Sequence, residues 1–244
     1  MKRTYADLHV CTNARDAGQC DRMLKRASEL GFRLIGIPTP AALFTEETDR
    51  LRRKGKEFGL DIAIRLDLRV ASAAELTRCL RRFRRRFELI AVICDSKVVA
   101  RQAAKDRRVD LLNFPGSYSR SRFFDLSEAE LASTAAAGLE IDTKPLLVSE
   151  GSVRASLLAS LRREVKIAKS FRVPVVISSG ASEVALMKEP KALVALSSLY
   201  DFDRSSAICA VSTNPAAILR RNKEKLRSRY VSPGISIVKQ GREC

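Results

Sequence analysis

The sequence predicts an α/β fold, a TIM-like (β/α)8 barrel of parallel strands. Three observations predict it. Apolar residues alternate between a strand-like and a helix-like period along the 244-residue chain. The segments divide into eight strand–helix units, the number a closed parallel barrel requires. The turn after the first strand lacks the GxGxxG that often opens a doubly wound sheet, the alternative architecture.

The first unit is the alternating strand "TYADLHV" (4–10), then a helix near 16–30 with Cys20, Met23, Leu24 and Ala27 in one stripe and Gly31 as its stop. "RLIGI" (33–37) is the second strand, and residues 41–58 form a helix with Phe44, Leu51 and Phe58 on one face. "DIAIRLDL" (61–68) is the third strand, and its helix over 72–87 aligns Leu76, Leu80, Phe83 and Phe87. "ELIAVIC" (88–94) is apolar nearly throughout, as a strand buried on both faces should be, and Ser96 caps the helix after it.

"VDLLNF" (109–114) is the fifth strand, and Ser127 with Glu130 forms a capping box for a helix ending at Gly138. "LEID" (139–142) is the sixth, before a helix near 152–170; "VPVVISS" (173–179) is the seventh, before a helix near 190–200. "AICAVS" (207–212) reads as the eighth strand, with Asn214 as N-cap and Pro215 at the first position of the last helix. The chain therefore reads as a single barrel domain over 1–231 with a basic C-terminal tail over 232–244.

The charge is unusual: 45 Lys+Arg against 28 Asp+Glu, a formal net charge of +17. Such a field attracts polyanions, nucleic acid first and an anionic membrane surface second; a highly charged solvated surface is the plainer alternative. No window approaches the roughly 18 apolar residues that span a bilayer. The first strand follows the N-terminus without a signal-peptide pattern, so a cytoplasmic protein is expected. The six cysteines, at 11, 20, 79, 94, 209 and 244, include no CxxC pair. Cys79, Cys94 and Cys209 lie within apolar patterns and are expected to be buried thiols.

In a barrel, function sits at the C-terminal strand ends. Those ends carry Asp7, His9, Asp67, Asp95, Asn113, Asp142, Ser178, Ser179 and Ser212. His9 is the sole histidine in the sequence, which excludes a histidine-rich metal site. A magnesium site built from carboxylates alone, Asp7, Asp67, Asp95 and Asp142, stays open, and a rival reading is a magnesium-dependent phosphoesterase acting through Asp7, His9, Asp67 and Asp142. The alternative is that these aspartates cap loops and helix starts and that His9 is structural. "ISSGA" (177–181) follows strand 7, where barrels often hold phosphate on backbone N–H groups, and marks Ser178, Ser179 and Gly180; a tight turn that needs Gly180 explains it equally well.

The positive charge is concentrated in three places. "TRCLRRFRRRF" (77–87) places Arg78, Arg82 and Arg85 opposite the apolar stripe, with Arg81, Arg84 and Arg86 widening that face. Without interleaved acids such a helix repels itself and calls for an anionic partner. "RRNKEKLRSR" (220–229) begins with Arg220 and Arg221, and "PGSYSRSRFF" (115–124) sets Arg120 and Arg122 beside Tyr118 and two phenylalanines, a composition suited to backbone contact and base stacking. The signal is electrostatic and carries no sequence preference.

Six stretches, in order and over nearly the full length, then resemble one family: "ADLHV" (6–10), "VDLLNFP" (109–115), "LEI" (139–141), "VPVVISSGA" (173–181), "EPKALVALSSLYDFD" (189–203) and "AVSTNPAAILRR" (210–221). The chain resembles the ribonuclease P protein component 3 family, the thirty-kilodalton-class subunit of archaeal and eukaryal ribonuclease P. The resemblance implies a barrel related to metal-dependent phosphoesterase and amidohydrolase barrels that has lost their histidines. It implies a part in removing 5′ leaders from precursor tRNA, with Mg2+ and the chemistry belonging to the ribonuclease P RNA and no cofactor held by the protein. It implies as partners that RNA, precursor tRNA in the holoenzyme, protein component 2 and the other protein components, and no membrane. It supplies no catalytic residue, so the expected site is the basic set Arg78, Arg82, Arg85, Arg86, Arg120, Arg122, Arg220 and Arg221.

Overall fold

Seven strands follow one another around a curled parallel sheet in the order β1 to β7: Tyr5–Asp7, Phe32–Pro38, Asp61–Leu68, Leu89–Ile93, Leu111–Asn113, Gly138–Asp142 and Val175–Ser178. The computed structural model describes residues 3–13, 16–116, 122–227, 230–232 and 235–236. Five helices, α1 (Ala17–Glu29), α2 (Phe44–Glu57), α3 (Ala73–Phe83), α4 (Lys97–Lys105) and α5 (Leu126–Ala135), each connect successive strands. The short α6 (Lys144–Val148) and the long α7 (Gly151–Ser170) join β6 to β7. After β7 come α8 (Pro190–Ser197), α9 (Arg204–Ala210) and α10 (Thr213–Lys225), then a small antiparallel pair, β8 (Tyr230–Ser232) with β9 (Ile235–Ser236). Most of the expected basic tail lies outside the described residues.

Local chemistry sets the helix starts. Asp16, Ser72 and Ser96 each accept a hydrogen bond from a backbone N–H in the first turn of α1, α3 and α4. The α1 stripe is as expected, with Cys20, Met23, Leu24 and Ala27 all buried. The capping box of α5 stands two residues earlier than the sequence reading placed it: Asp125 and Glu128 exchange the bonds, rather than Ser127 and Glu130. That helix ends at Ala136 in the left-handed region (φ 59°), and Gly138 already belongs to β6.

The expected eighth strand is a correction. Residues 207–212 lie largely in α9, whose start is capped by Asp203 accepting from the Ser206 N–H. A six-residue apolar run fits a buried helix face as well as a strand, and the cap decides between them. One barrel-closing bond remains where that strand would pair: the Ala6 N–H donates to Val211 O at 2.9 Å. At the other end of the seam Val10 bridges Ala181 in parallel. The helical register also turns Cys209 outward, so that thiol is exposed, whereas Cys94 is buried and Cys79 half-buried. Ser212, not Asn214, precedes α10, and the Asn214 amide instead donates to Val175 O at 2.8 Å.

Two layers of apolar packing result. One fills the space between strands and helices. The other fills the N-terminal half of the barrel interior: Ala6, Leu8, Leu34, Ala63, Leu89, Ala91, Leu111 and Val176, with Ile218 and Leu219 of α10. α10 therefore does not flank the barrel. It lies across its N-terminal end and plugs it. Its polar groups reach the starts of five strands, through Asp61, Glu88 O, Asp110, Ala136 O and Val175 O.

Candidate functional site

Above that apolar half the barrel interior turns polar. Side chains two apart on a strand share a face, so Ala63, Arg65 and Asp67 of β3 run up the inside, as do Glu140 and Asp142 of β6. Arg65 is fully buried and central. Its guanidinium grips Glu140 at both oxygens (2.6 Å each), donates to Asp67 at 2.6 Å and to Leu8 O at 2.8 Å. Glu140 also accepts from the Asn113 amide (2.9 Å) and the Ser178 hydroxyl (2.8 Å).

His9 completes the network at the rim. Its Nδ1 lies 2.9 Å from Asp142 and its Nε2 3.2 Å from Asp67. Burial and the nearby Arg65 oppose the charged ring, but Asp142 and Asp67 outweigh them and raise its pKa well above the ordinary value. Protonated, the imidazolium donates to a carboxylate from each nitrogen. Burial works against charge on Asp67 and Asp142 too, yet Arg65 and His9 hold both carboxylates below their usual range. Asp7 is fully buried, its pKa raised by burial, and its Oδ1 accepts from the N–H groups of His9 (3.2 Å) and Ser179 (3.0 Å).

His9, Glu140 and Asp142 offer ligand atoms within 4.8 Å of one another, the metal-sized cluster found among the described residues. The donor set does not fit a divalent ion. Both Glu140 oxygens face a guanidinium that stays charged at any accessible pH. Asp142 faces His9 and Asn113. Arg65 stands as the cation of the site. The cavity beside it, between Phe114, Arg122, Asp142, Lys144 and Gly180, holds about 80 Å³, well under the roughly 300–1,000 Å³ of small-ligand sites.

The expected phosphate cradle is also filled from within. Ser178 is bonded to Glu140, the Ser179 N–H to Asp7 and the Ser179 hydroxyl to His9 O. Gly180 takes φ +60°, and a Cβ there would lie 2.9 Å from Asp142 Cγ, so the turn after β7 requires a glycine. Arg122 needs the same correction: it is buried, paired with Glu164 at 2.6 Å and bonded to Phe114 O, because an acid on α7 faces it across the loop. Arg120 lies outside the described residues.

The remaining basic residues are at the surface. Arg78, Arg82, Arg85, Arg86 and Arg220 are exposed. The Arg82 guanidinium lies 5.1 Å over the Phe83 ring and that of Arg86 4.9 Å over Phe44. Arg84 departs from the expected outer face: it turns onto Asp110 at 2.5 Å, which Arg221 meets from the other side at 3.0 Å.

Three comparisons bear on what this arrangement is. The chain resembles a ribonuclease P protein component 3 of Methanococcoides burtonii, 24% identical over 97% of this chain and 95% of the relative. It is 28% identical to that of Methanosarcina acetivorans over 76% of this chain and 73% of the relative. The family model described as RNase P subunit p30 matches residues 4–227. The chain belongs to the RNase P subunit p30 family. Solved structures agree on the fold of this p30 chain. A chain in the cryo-EM structure of archaeal ribonuclease P with mature tRNA superposes with a TM-score of 0.83 at 23% identity, covering 96% of this chain and 99% of that one. The histidinol phosphate phosphatase of Lactococcus lactis, solved with zinc, L-histidinol and phosphate, superposes at 0.52 with 10% identity, covering 90% of this chain and 94% of that one.

Sequence reasoning on this p30 chain singled out His9, Asp67 and Asp142, and the structure does bring them together. It missed Arg65 and Glu140, which hold them. The available signal was a pair of opposite charges, each at an inward position within a strand and flanked by apolar residues.

Proposed function

We propose that the chain is a ribonuclease P protein subunit that assists a catalytic RNA in removing 5′ leaders from precursor tRNA and performs no chemistry itself. The observation that carries this reading is the guanidinium of Arg65 seated on Glu140. It occupies both oxygens of the central carboxylate, and Asp67 and Asp142 are likewise held, by Arg65 and His9. The charge of +17 supports the rest. A large folded RNA brings phosphates together and needs divalent ions to do so; a rigid cationic domain supplies part of that screening as fixed charge. The partners in this reading are the ribonuclease P RNA, precursor tRNA, protein component 2 and the other protein components. Mg2+ serves the RNA, and the protein holds no cofactor. Among the described residues no helix is long and apolar enough to cross a membrane, which accords with the cytoplasmic placement proposed here. The phosphoesterase alternative through Asp7, His9, Asp67 and Asp142 finds no support in this geometry.

The test is reconstitution of pre-tRNA cleavage from the RNA, protein component 2 and this chain across a magnesium series. The chain should raise the rate at low magnesium, and the curves should converge at high magnesium. Asp142→Asn, if folded, should leave the rate within about twofold, far from the 10²-fold or greater loss typical of a removed catalytic group. Phosphoester turnover by the chain alone, or a loss in Asp142→Asn that no magnesium restores, would return the active site to the protein.

A further inference from the structure

The interior of the barrel is closed at both ends, by the Arg65 network above and by α10 below, and the two ends differ in what they leave unpaired. At the C-terminal strand ends Arg69 pairs with Asp95 at 3.1 Å and Lys97 with Asp125 at 3.0 Å, while Arg154 meets only a backbone carbonyl, Ser149 O, at 2.6 Å. The N-terminal end is different. The last turns of α10 and the two residues after it carry Arg220, Arg221, Lys223, Lys225 and Arg227 against one acid, Glu224. The turn after α3 reaches the same end through Arg84, and Asp110 joins Arg84 to Arg221 as one carboxylate between two guanidiniums.

Around that bridge the excess is uncompensated. Arg107, Arg220 and Lys225 are exposed and make no ion pair among the described residues. Lys225 follows Arg221 by one helical turn and so shares its side of α10. Partial burial and the charges of Arg221, Arg84 and Arg107 depress its pKa although the residue as a whole is exposed, so the members of the cluster feel one another. Asp110 faces Lys225 as the acid of this set, while Asp61 is held by Lys223. Next to it a cleft of about 340 Å³ is lined by four cations, Arg33, Arg220, Lys223 and Arg227, against two acids, Asp61 and Glu224. Arg221 and Lys223 help to hold α10 on the strand starts, but Arg107, Arg220 and Lys225 take no part in those bonds.

We propose that RNA phosphates dock on the N-terminal end of the barrel, across α10, with Arg107, Arg220 and Lys225 as direct contacts and Arg84 and Arg221 held behind them by Asp110. This rests on the RNA-binding reading above. It moves the binding face of this barrel from the strand ends where barrel enzymes work to the opposite one.

Two full-length triple variants decide it: Arg107→Gln/Arg220→Gln/Lys225→Gln at the N-terminal end, and Arg69→Gln/Lys97→Gln/Arg154→Gln at the C-terminal end. Both remove the same charge. Binding to a transcript of the ribonuclease P RNA is measured across a salt series, with thermal melting to confirm folding. Each phosphate contact contributes about 0.7–0.9 to the log–log salt slope, so the first variant should lose about 2–3 from its magnitude and the second almost none. An equal loss in both, or a greater loss in the second, overturns the docking face while leaving the RNA reading intact. An unchanged slope in the first variant together with lost binding of a partner protein makes the face a protein interface and also overturns it. Failure of the unsubstituted chain to bind the RNA at low salt overturns the RNA reading itself.

Discussion

Arg65 and His9 are cations enclosed in a barrel, and their cost of burial is met by three carboxylates rather than by solvent. Breaking such a set by removing one member is expensive, about 3–5 kcal/mol, because a buried charge is left without its partner. For His9 this gives a pH signature. Its folded pKa is raised, so its protonation stabilises the fold fully below the unfolded value of about 6.5 and progressively less as pH rises through the folded value. His9→Gln should therefore lower the melting temperature most at about pH 6, and the gap from the unsubstituted protein should narrow as pH rises further. Melting curves taken across that range check it; a constant gap would mean that the ring is neutral in the fold. At this scale the sequence was half legible. His9 stood out as the sole histidine, and its structural reading fits the geometry. Arg65 stayed hidden because the one cation within "DIAIRLDL" has no meaning until β6 brings Glu140 opposite it.

Among the elements, α10 shows where pattern stops informing. Its existence was read from the helix-start signal around Pro215, but the same signal serves a helix beside a barrel and one across its end. Placement is decided by tertiary bonds to five strand starts, which no local window contains. Leu219→Ala should cost about 2–5 kcal/mol, since it opens a cavity in the closed barrel interior. Ala217→Ser, on the exposed side of the same helix, should change stability by no more than about 0.5 kcal/mol. Denaturant unfolding of the pair measures the difference. Strands β2 to β4 and helices α1 to α4 were legible from their apolar period, and Ser96 caps α4 as expected. The eighth strand failed where composition and cap conflicted: "AICAVS" reads as a strand by composition, and Asp203, a few residues before it, starts a helix.

For the molecule as a whole, the seam between β1 and β7 has a consequence for synthesis. The contacts that close the ring are distant in sequence, Val10 with Ala181 and Ala6 with Val211, and closure entropy must be met before such contacts contribute. Strands β1 to β6 are translated well before their ring can shut. Until Val211 and the plug residues Ile218 and Leu219 have left the ribosome, the nascent chain is an open sheet with two bare edges and an uncovered apolar interior, the kind of surface that recruits other strands. A chain stopped after residue 203 should accordingly be released as an aggregating species, and one stopped after residue 227 as a soluble, cooperatively melting one; sedimentation of the two products from a translation extract checks this. The last helix to be made thus decides whether everything before it stays in solution.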